Sequence, residues 1–377
     1  MDRLTEYVLW MSDFPISMTG LRDADVLVLC NLVYIDLSPL FEGEDKELTV
    51  RDCQKLIDTD QVEEKIAIRD KKYKELLQAA VDSVRFGDLR IADYIDILCE
   101  EPPVQYASVT FRDDRDFAFI AFRGTDDTLA GWYEDSIASF TITGAQLKAK
   151  EYAAALIAAE PERRWFMGGH SKGGNLALYA GSTMGRELFE HVERIYDLDG
   201  PGLCEEVMEG GPDAAVLEKT TRILPEFSVV GKLFDMDIPD TKIIKSFAKG
   251  MFQHAPITWG IDHGKIALTE KNHPLSIRLS DFIAKWIAQT SIEERKVFLA
   301  EIYEAVTAGG ARTLEDLITQ GWDGFKAVQQ RLKNSGDVTK HVMQEFTKQA
   351  FQGSFFPGAV SGPSGKDEDK REDGNVT

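Results

Sequence analysis

Residues 163–181, RRWFMGGHSKGGNLALYAG, pass within a few positions from an apolar run, through a glycine-rich turn around Ser171, into a helical pattern. A strand, a sharp turn and a helix are what a nucleophile elbow needs, and Gly169-x-Ser171-x-Gly173 fits its G-x-S-x-G pattern. Alone the pattern is weak, because a chain of this length holds such a match by chance roughly one time in ten. The context strengthens it. A serine on such an elbow has a strained backbone, and Gly169 and Gly173 let strand and helix approach without Cβ clashes. The helix N-terminus beneath Ser171 also favours developing negative charge. The competing reading is a glycine-rich turn whose serine caps the helix.

A serine hydroxyl is a weak nucleophile and needs a base, an orienting acid and donors for an oxyanion. On this kind of elbow the chain order is Ser, acid, His. Of six histidines, His170 adjoins Ser171 and is expected to point to the opposite side, and His191 precedes the best acid. His254, His263, His273 and His341 remain. His254 leads, because GMFQHAPITWG is a loop with Gly, Pro and aromatic residues; His263 in IDHGK and His273 in KNHPL read as surface turn residues. For the acid, Asp199 ends the apolar strand RIYDL and opens DGPG, at the edge of the sheet where α/β ligand sites gather. An Asp that merely favours the turn is the competing reading. Asp197 would share its face of the strand but sit deeper, and Glu226 and Asp235 are fallbacks. The oxyanion hole would take the N–H of Lys172 and that of Thr125. Gly124 permits close backbone approach there, and the Thr125 hydroxyl is a further donor. The same loop also reads as a capped turn.

The rest of the chain supplies the setting. Residues 1–102 mostly carry helical spacing and read as a helical N-terminal layer. After Pro102-Pro103, YASVTFRDDRDFAFIAFRGT alternates around a polar turn at Asp113–Asp116 and reads as a hairpin feeding a central strand. From there strand-like and helix-like segments alternate, which predicts an α/β core over residues 103–290. Residues 291–352 return to helical periodicity. Residues 353–377 are Gly, Ser, Pro and charge without apolar content, an expected disordered tail.

Composition excludes several functions. Sixty-four acidic residues against 43 basic give a net charge of −21, a field that repels phosphate backbones and anionic membranes, so no nucleic-acid partner is expected. Cys30, Cys53, Cys99 and Cys204 are scattered without a CxxC pair, which fits reduced thiols and offers no metal site. The N-terminus MDRLTEYVLWMSDFP lacks the basic and uninterrupted apolar regions of an export signal. The apolar run from Val26 to Ile35 is about half the ~20 residues needed to cross a bilayer. The expectation is a soluble, cytoplasmic protein without a membrane span.

FRGTDDTLAGWYED, from residue 122, and GGHSKGGNLALYA, from residue 168, together resemble the class 3 lipase family of α/β-hydrolases. More closely, GGHSKGGNLA, DGPG and the QH…W segment resemble a bacterial family of uncharacterised lipase-like proteins. The resemblance implies an α/β-hydrolase fold, a central, mostly parallel sheet with flanking helices, extended here by helical N- and C-terminal segments. It implies a serine esterase or lipase-like hydrolase acting on a small-molecule or lipid ester, with no cofactor and no metal. Ser171 would be the nucleophile, with the Thr125 and Lys172 amides as the oxyanion hole and Trp132 and Asp135 supporting the FRGT loop.

Two departures qualify it. Class 3 lipases carry their acid one strand later, where LPEFSVV has Ser228, which points to Asp199. Their base normally comes late in the fold, whereas the closer family offers the QH histidine, His254. Lys172 is a further difference, since many lipases have an apolar or Gln residue there; it would pair with Glu134 or Asp135, or meet an anionic substrate group. The rival expectation is a non-catalytic α/β-hydrolase scaffold that binds a partner through its helical layers.

Overall fold

Phe117–Phe122, FAFIAF, is buried at every position, which a strand can be only where both of its faces are covered. It is one of nine strands in a single sheet. The computed structural model describes residues 3–41, 48–63, 72–100, 103–126, 141–203, 211–313 and 319–342, with a few single residues between these spans. The segment 353–377, expected to be a disordered tail, lies outside the described residues.

In chain order the strands are β1 (Leu48–Thr49), β2 (Arg90–Glu100), β3 (Pro103–Arg112), β4 (Phe117–Phe122), β5 (Arg164–His170), β6 (Val192–Leu198), β7 (Thr220–Pro225) and β8 (Asp240–Ile244). The chain then makes a separate hairpin, β9 (Ile261–Asp262) with β10 (Lys265–Ile266), and returns to the sheet edge as β11 (Leu268–Thr269). The order across the sheet is β1-β2-β3-β4-β5-β6-β7-β8-β11. From β4 to β8 all neighbours are parallel, while the flanking pairs β1–β2, β2–β3, β3–β4 and β8–β11 are antiparallel.

The pleat of β4 divides the core. Phe117, Phe119 and Ala121 face one apolar cluster, and Ala118, Ile120 and Phe122 face another, as the period of two demands. The first face is covered by helices α1 (Leu4–Met11), α2 (Asp23–Leu32) and α3 (Lys72–Asp82), joined by Ile257, Trp259, Ile261 and Ile266. The second is covered by α4 (Gly144–Ala159) and α5 (Lys172–Thr183). Thr143 and Gln146 close a capping box at the start of α4, leaving fewer orphan amides at that end. Helices α6 (Pro274–Gln289), α7 (Ile292–Thr307) and α8 (Gly321–Lys333) follow the sheet. A mostly parallel sheet with helices on both faces is the α/β-hydrolase fold.

The first hundred residues are not wholly helical. Arg90–Glu100 is a full strand paired with β3, inside the segment whose spacing reads as helix. Its register shifts between Ala92 and Ile95, and Asp93 has φ 53°. That bulge interrupts the alternation of apolar residues and masks the strand signal.

Candidate active site

Strands β5 and β6 are parallel neighbours, so their C-terminal ends emerge side by side. Each is followed by a non-glycine residue in the left-handed region, Ser171 at φ 57° and Asp199 at φ 53°. Such backbones persist only where the surroundings hold them. Ser171 N–H donates to the Leu198 carbonyl at 2.9 Å and Asp199 N–H to the Ile223 carbonyl at 2.9 Å, so each turn is tied to the neighbouring strand. Gly173 allows the tight crossing: a Cβ there would fall 2.2 Å from the Phe122 carbonyl oxygen.

The Ser171 side chain does not cap α5. Its Oγ lies 3.0 Å from His254 Nε2, and His254 Nδ1 lies 2.7 Å from Asp199 Oδ2. A carboxylate oxygen only accepts, so Nδ1 carries the proton and the Nε2 lone pair faces Ser171. The Asp199 side chain is 1% exposed and that of His254 21%, so the carboxylate is buried and the imidazole partly exposed. Asp199 Oδ1 accepts from the Ser228 hydroxyl at 2.5 Å and from the Gly231 N–H at 3.2 Å. Ser228, which stands where the class 3 pattern has its Asp, thus holds the carboxylate supplied by the preceding strand.

His254 closes a single helical turn, Gly250–His254, pinned from several sides. Gln253 accepts from the Phe227 N–H at 2.8 Å through its side chain and from the Trp259 indole N–H at 2.7 Å through its carbonyl. The His254 carbonyl accepts from His170 Nε2–H at 2.7 Å. His170 Nε2 therefore carries the proton, and His170 Nδ1 accepts from the Tyr34 hydroxyl at 2.8 Å. The expectation that His170 points away from the site is corrected here: β5 ends facing Tyr34, and its last side chain turns toward the His254 loop. Burial, with the adjacent His254 adding to it, holds the His170 imidazole well below its ordinary pKa, so it is neutral at pH 7.

Beneath the two turns lies a buried ion pair. Arg222 donates to Asp197 at 2.8 Å with both side chains fully buried, and the other Asp197 oxygen accepts from the Gly200 N–H at 2.8 Å. Burial raises the pKa of Asp197 against the pull of Arg222. Asp197 thus shapes the turn after Asp199 and does not reach the imidazole. Asp235 pairs with Arg222 and Lys232.

The loop after β4 approaches the turn at Ser171 closely. A Cβ on Gly124 would fall 2.5 Å from the His170 carbonyl and 3.4 Å from Ser171 Cβ. Arg123 anchors this loop through two 2.8 Å bonds to Asp96 on β2. Thr125 Oγ1 is buried without a hydrogen-bond partner among the described residues. Lys172 is the first residue of α5, where amides point out of the helix end, and its side chain is buried. Trp132, Glu134 and Asp135 lie outside the described residues.

The other histidines lie elsewhere. His273 caps α6, His263 is an exposed turn residue beside Asp262, and His191 and His341 are exposed. Among the described residues no group of three or more His, Cys, Asp or Glu side chains is arranged to hold a metal, and no helix is long and apolar enough to cross a membrane. Sequence reasoning missed the parts played by Tyr34, His170 and Gln253. The QH…W spacing carried the signal for Gln253 and Trp259; Tyr34 left none.

A model of the Mbeg1-like family matches residues 80–304. No curated protein matches the chain. Among solved structures it is similar to a mutant form of MDLA from Penicillium cyclopium, at 12% identity over 74% of this chain and 89% of that one, with a TM-score of 0.40. It is also similar to lipase II from Rhizopus niveus, at 13% identity over 65% and 87%, with a TM-score of 0.30.

Proposed function

The chain belongs to the Mbeg1-like family, and from that premise we propose that it is a serine hydrolase cleaving a carboxylic ester through an acyl-enzyme on Ser171. The observation that carries the proposal is the unbroken hydrogen-bond chain from Ser171 Oγ through His254 to Asp199, set on a strained elbow.

In this mechanism Ser171 Oγ attacks the ester carbonyl carbon while His254 Nε2 takes its proton. The Thr125 and Lys172 amides hold the oxyanion of the tetrahedral intermediate, with the Thr125 hydroxyl as a third donor. Collapse breaks the bond to the alkoxy oxygen, which leaves as an alcohol with the proton from His254. Water then attacks the acyl group with His254 again as base, and the carboxylic acid departs. Asp199 keeps His254 in the Nδ1–H form and stabilises the imidazolium that forms. The reaction calls for no metal or organic cofactor. The substrate is a small-molecule or lipid ester. We assign the reaction to the cytoplasm, which the free thiols of Cys30 and Cys53 support. The scaffold alternative drew on the missing Asp of LPEFSVV, and the bond from Ser228 to Asp199 weakens that ground.

The test is labelling of native protein with a fluorophosphonate and mass-spectrometric mapping of the modified residue. Modification at Ser171 is expected, absent in Ser171→Ala and slowed about 10³-fold or more in His254→Ala. Native protein that neither labels at Ser171 nor cleaves any of a panel of esters overturns the proposal and leaves the binding scaffold.

A further inference from the structure

Tyr34 follows α2 in the N-terminal layer, upstream of the segment that matches the family. It is 1% exposed, and its hydroxyl sits where two parts of the site meet. On one side it donates to His170 Nδ1. On the other it abuts the loop after β4, since a Cβ on Gly124 would fall 2.3 Å from Tyr34 Oη. His170 passes the contact on, because its Nε2–H donates to the backbone carbonyl of His254.

The two bonds depend on each other. The His254 carbonyl only accepts, so the single proton of the neutral ring stands on Nε2, and the Tyr34 hydroxyl donates to the Nδ1 lone pair that this leaves. Without that hydroxyl Nδ1 is buried and unsatisfied and nothing holds the ring from that side, so the ring turns and its bond to the His254 carbonyl loosens. The imidazole rings are 4.5 Å apart between centroids, so a charged His170 would oppose the imidazolium that His254 must form.

We infer that Tyr34 and His170 are positioning residues of the proposed hydrolase site: the N-terminal helical layer, through them, fixes the orientation of the His170 ring and thereby aims His254 at Ser171. The inference rests on the hydrolase reading for its effect on rate, and on hydrogen-bond geometry alone for its effect on the two rings.

The test compares Tyr34→Phe, His170→Gln and His170→Asn with wild type. The first readout is the concentration dependence of fluorophosphonate labelling, which separates the maximal labelling rate from probe binding. The second is nitrogen NMR of isotope-labelled histidines, which reads which ring nitrogen of His170 and His254 carries the proton. Tyr34→Phe removes one oxygen and is expected to lower the maximal rate about 10- to 100-fold with little change in probe binding, as a misplacement near 1 Å does. It is also expected to shift the His170 Nδ1 signal, which loses its hydrogen-bond donor, and with it the His254 ring signals. His170→Gln keeps a donor near the Nε2 position and is expected to recover much of the rate, whereas His170→Asn, too short to reach the His254 carbonyl, is not. A folded Tyr34→Phe protein with the wild-type rate and unchanged His254 ring signals overturns the inference. If wild type itself does not label but the His170 and His254 signals still respond to Tyr34→Phe, the hydrolase reading fails and the positioning link stands.

Discussion

Asp199→Asn isolates one property of the site, the direction in which the His254 proton points. Asp199 Oδ1 accepts from the Ser228 hydroxyl and from the Gly231 N–H. The hydroxyl could reverse its role, but a backbone N–H cannot, so the asparagine must keep its carbonyl oxygen on that side. Its amide nitrogen then faces His254 Nδ1, where the Asp199 Oδ2 contact is 2.7 Å. Two N–H groups cannot share that contact, so His254 moves its proton to Nε2 and presents a donor to Ser171 Oγ. The base is lost while every contact distance stays feasible. The expected fall in the rate of Ser171 acylation is about 10⁴-fold, or about 5 kcal/mol of transition-state stabilisation. Because the replacement is isosteric at a side chain only 1% exposed, thermal unfolding of the variant guards against a trivial loss of fold. The assay is the second-order rate of fluorophosphonate labelling at Ser171 together with kcat/KM for the best ester of a panel. A folded Asn variant that labels within about tenfold of wild type, well short of the loss expected from a reversed tautomer, refutes the reasoning.

Three further predictions follow from single contacts. Thr125→Val replaces the buried hydroxyl without a described partner and is expected to lower kcat about 10²-fold with KM little changed; Thr125→Ser should restore it, and an unchanged kcat removes that hydroxyl from the oxyanion hole. Gly173→Ala brings a Cβ to 2.2 Å from the Phe122 carbonyl and should cost about 1–3 kcal/mol or more; urea unfolding with a wild-type midpoint contradicts the tight crossing. Because the folded-state pKa of His170 is depressed, the unfolded chain binds a proton that the folded protein does not as pH falls below about 6.5, so stability declines in that range by up to about 1.4 kcal/mol per pH unit. His170→Gln has no such group, so its urea midpoint should fall less steeply with acid; equal slopes in both proteins count against the buried neutral imidazole.

Local order along the chain made much of the architecture legible. The strand, turn and helix around Ser171, the hairpin at Asp113–Asp116 and the end of β6 at Asp199 all come from residues near in sequence, whose period of two or of 3.6 is set by the backbone itself. β2 escaped because a bulge at Ala92–Ile95 breaks the period that reveals a strand. Ser228 read as a departure because its partner, Asp199, lies on another strand.

The amino-acid sequence alone determined that an elbow serine should sit between a strand and a helix, and that an acid and a histidine should follow it. Which histidine meets the serine was decided by the tertiary structure, as was the direction in which His170 faces. Those contacts join residues 83 and 136 positions apart, and a hydrogen bond of that span leaves no periodicity in the chain. It exists only once the sheet and its covering layers are packed.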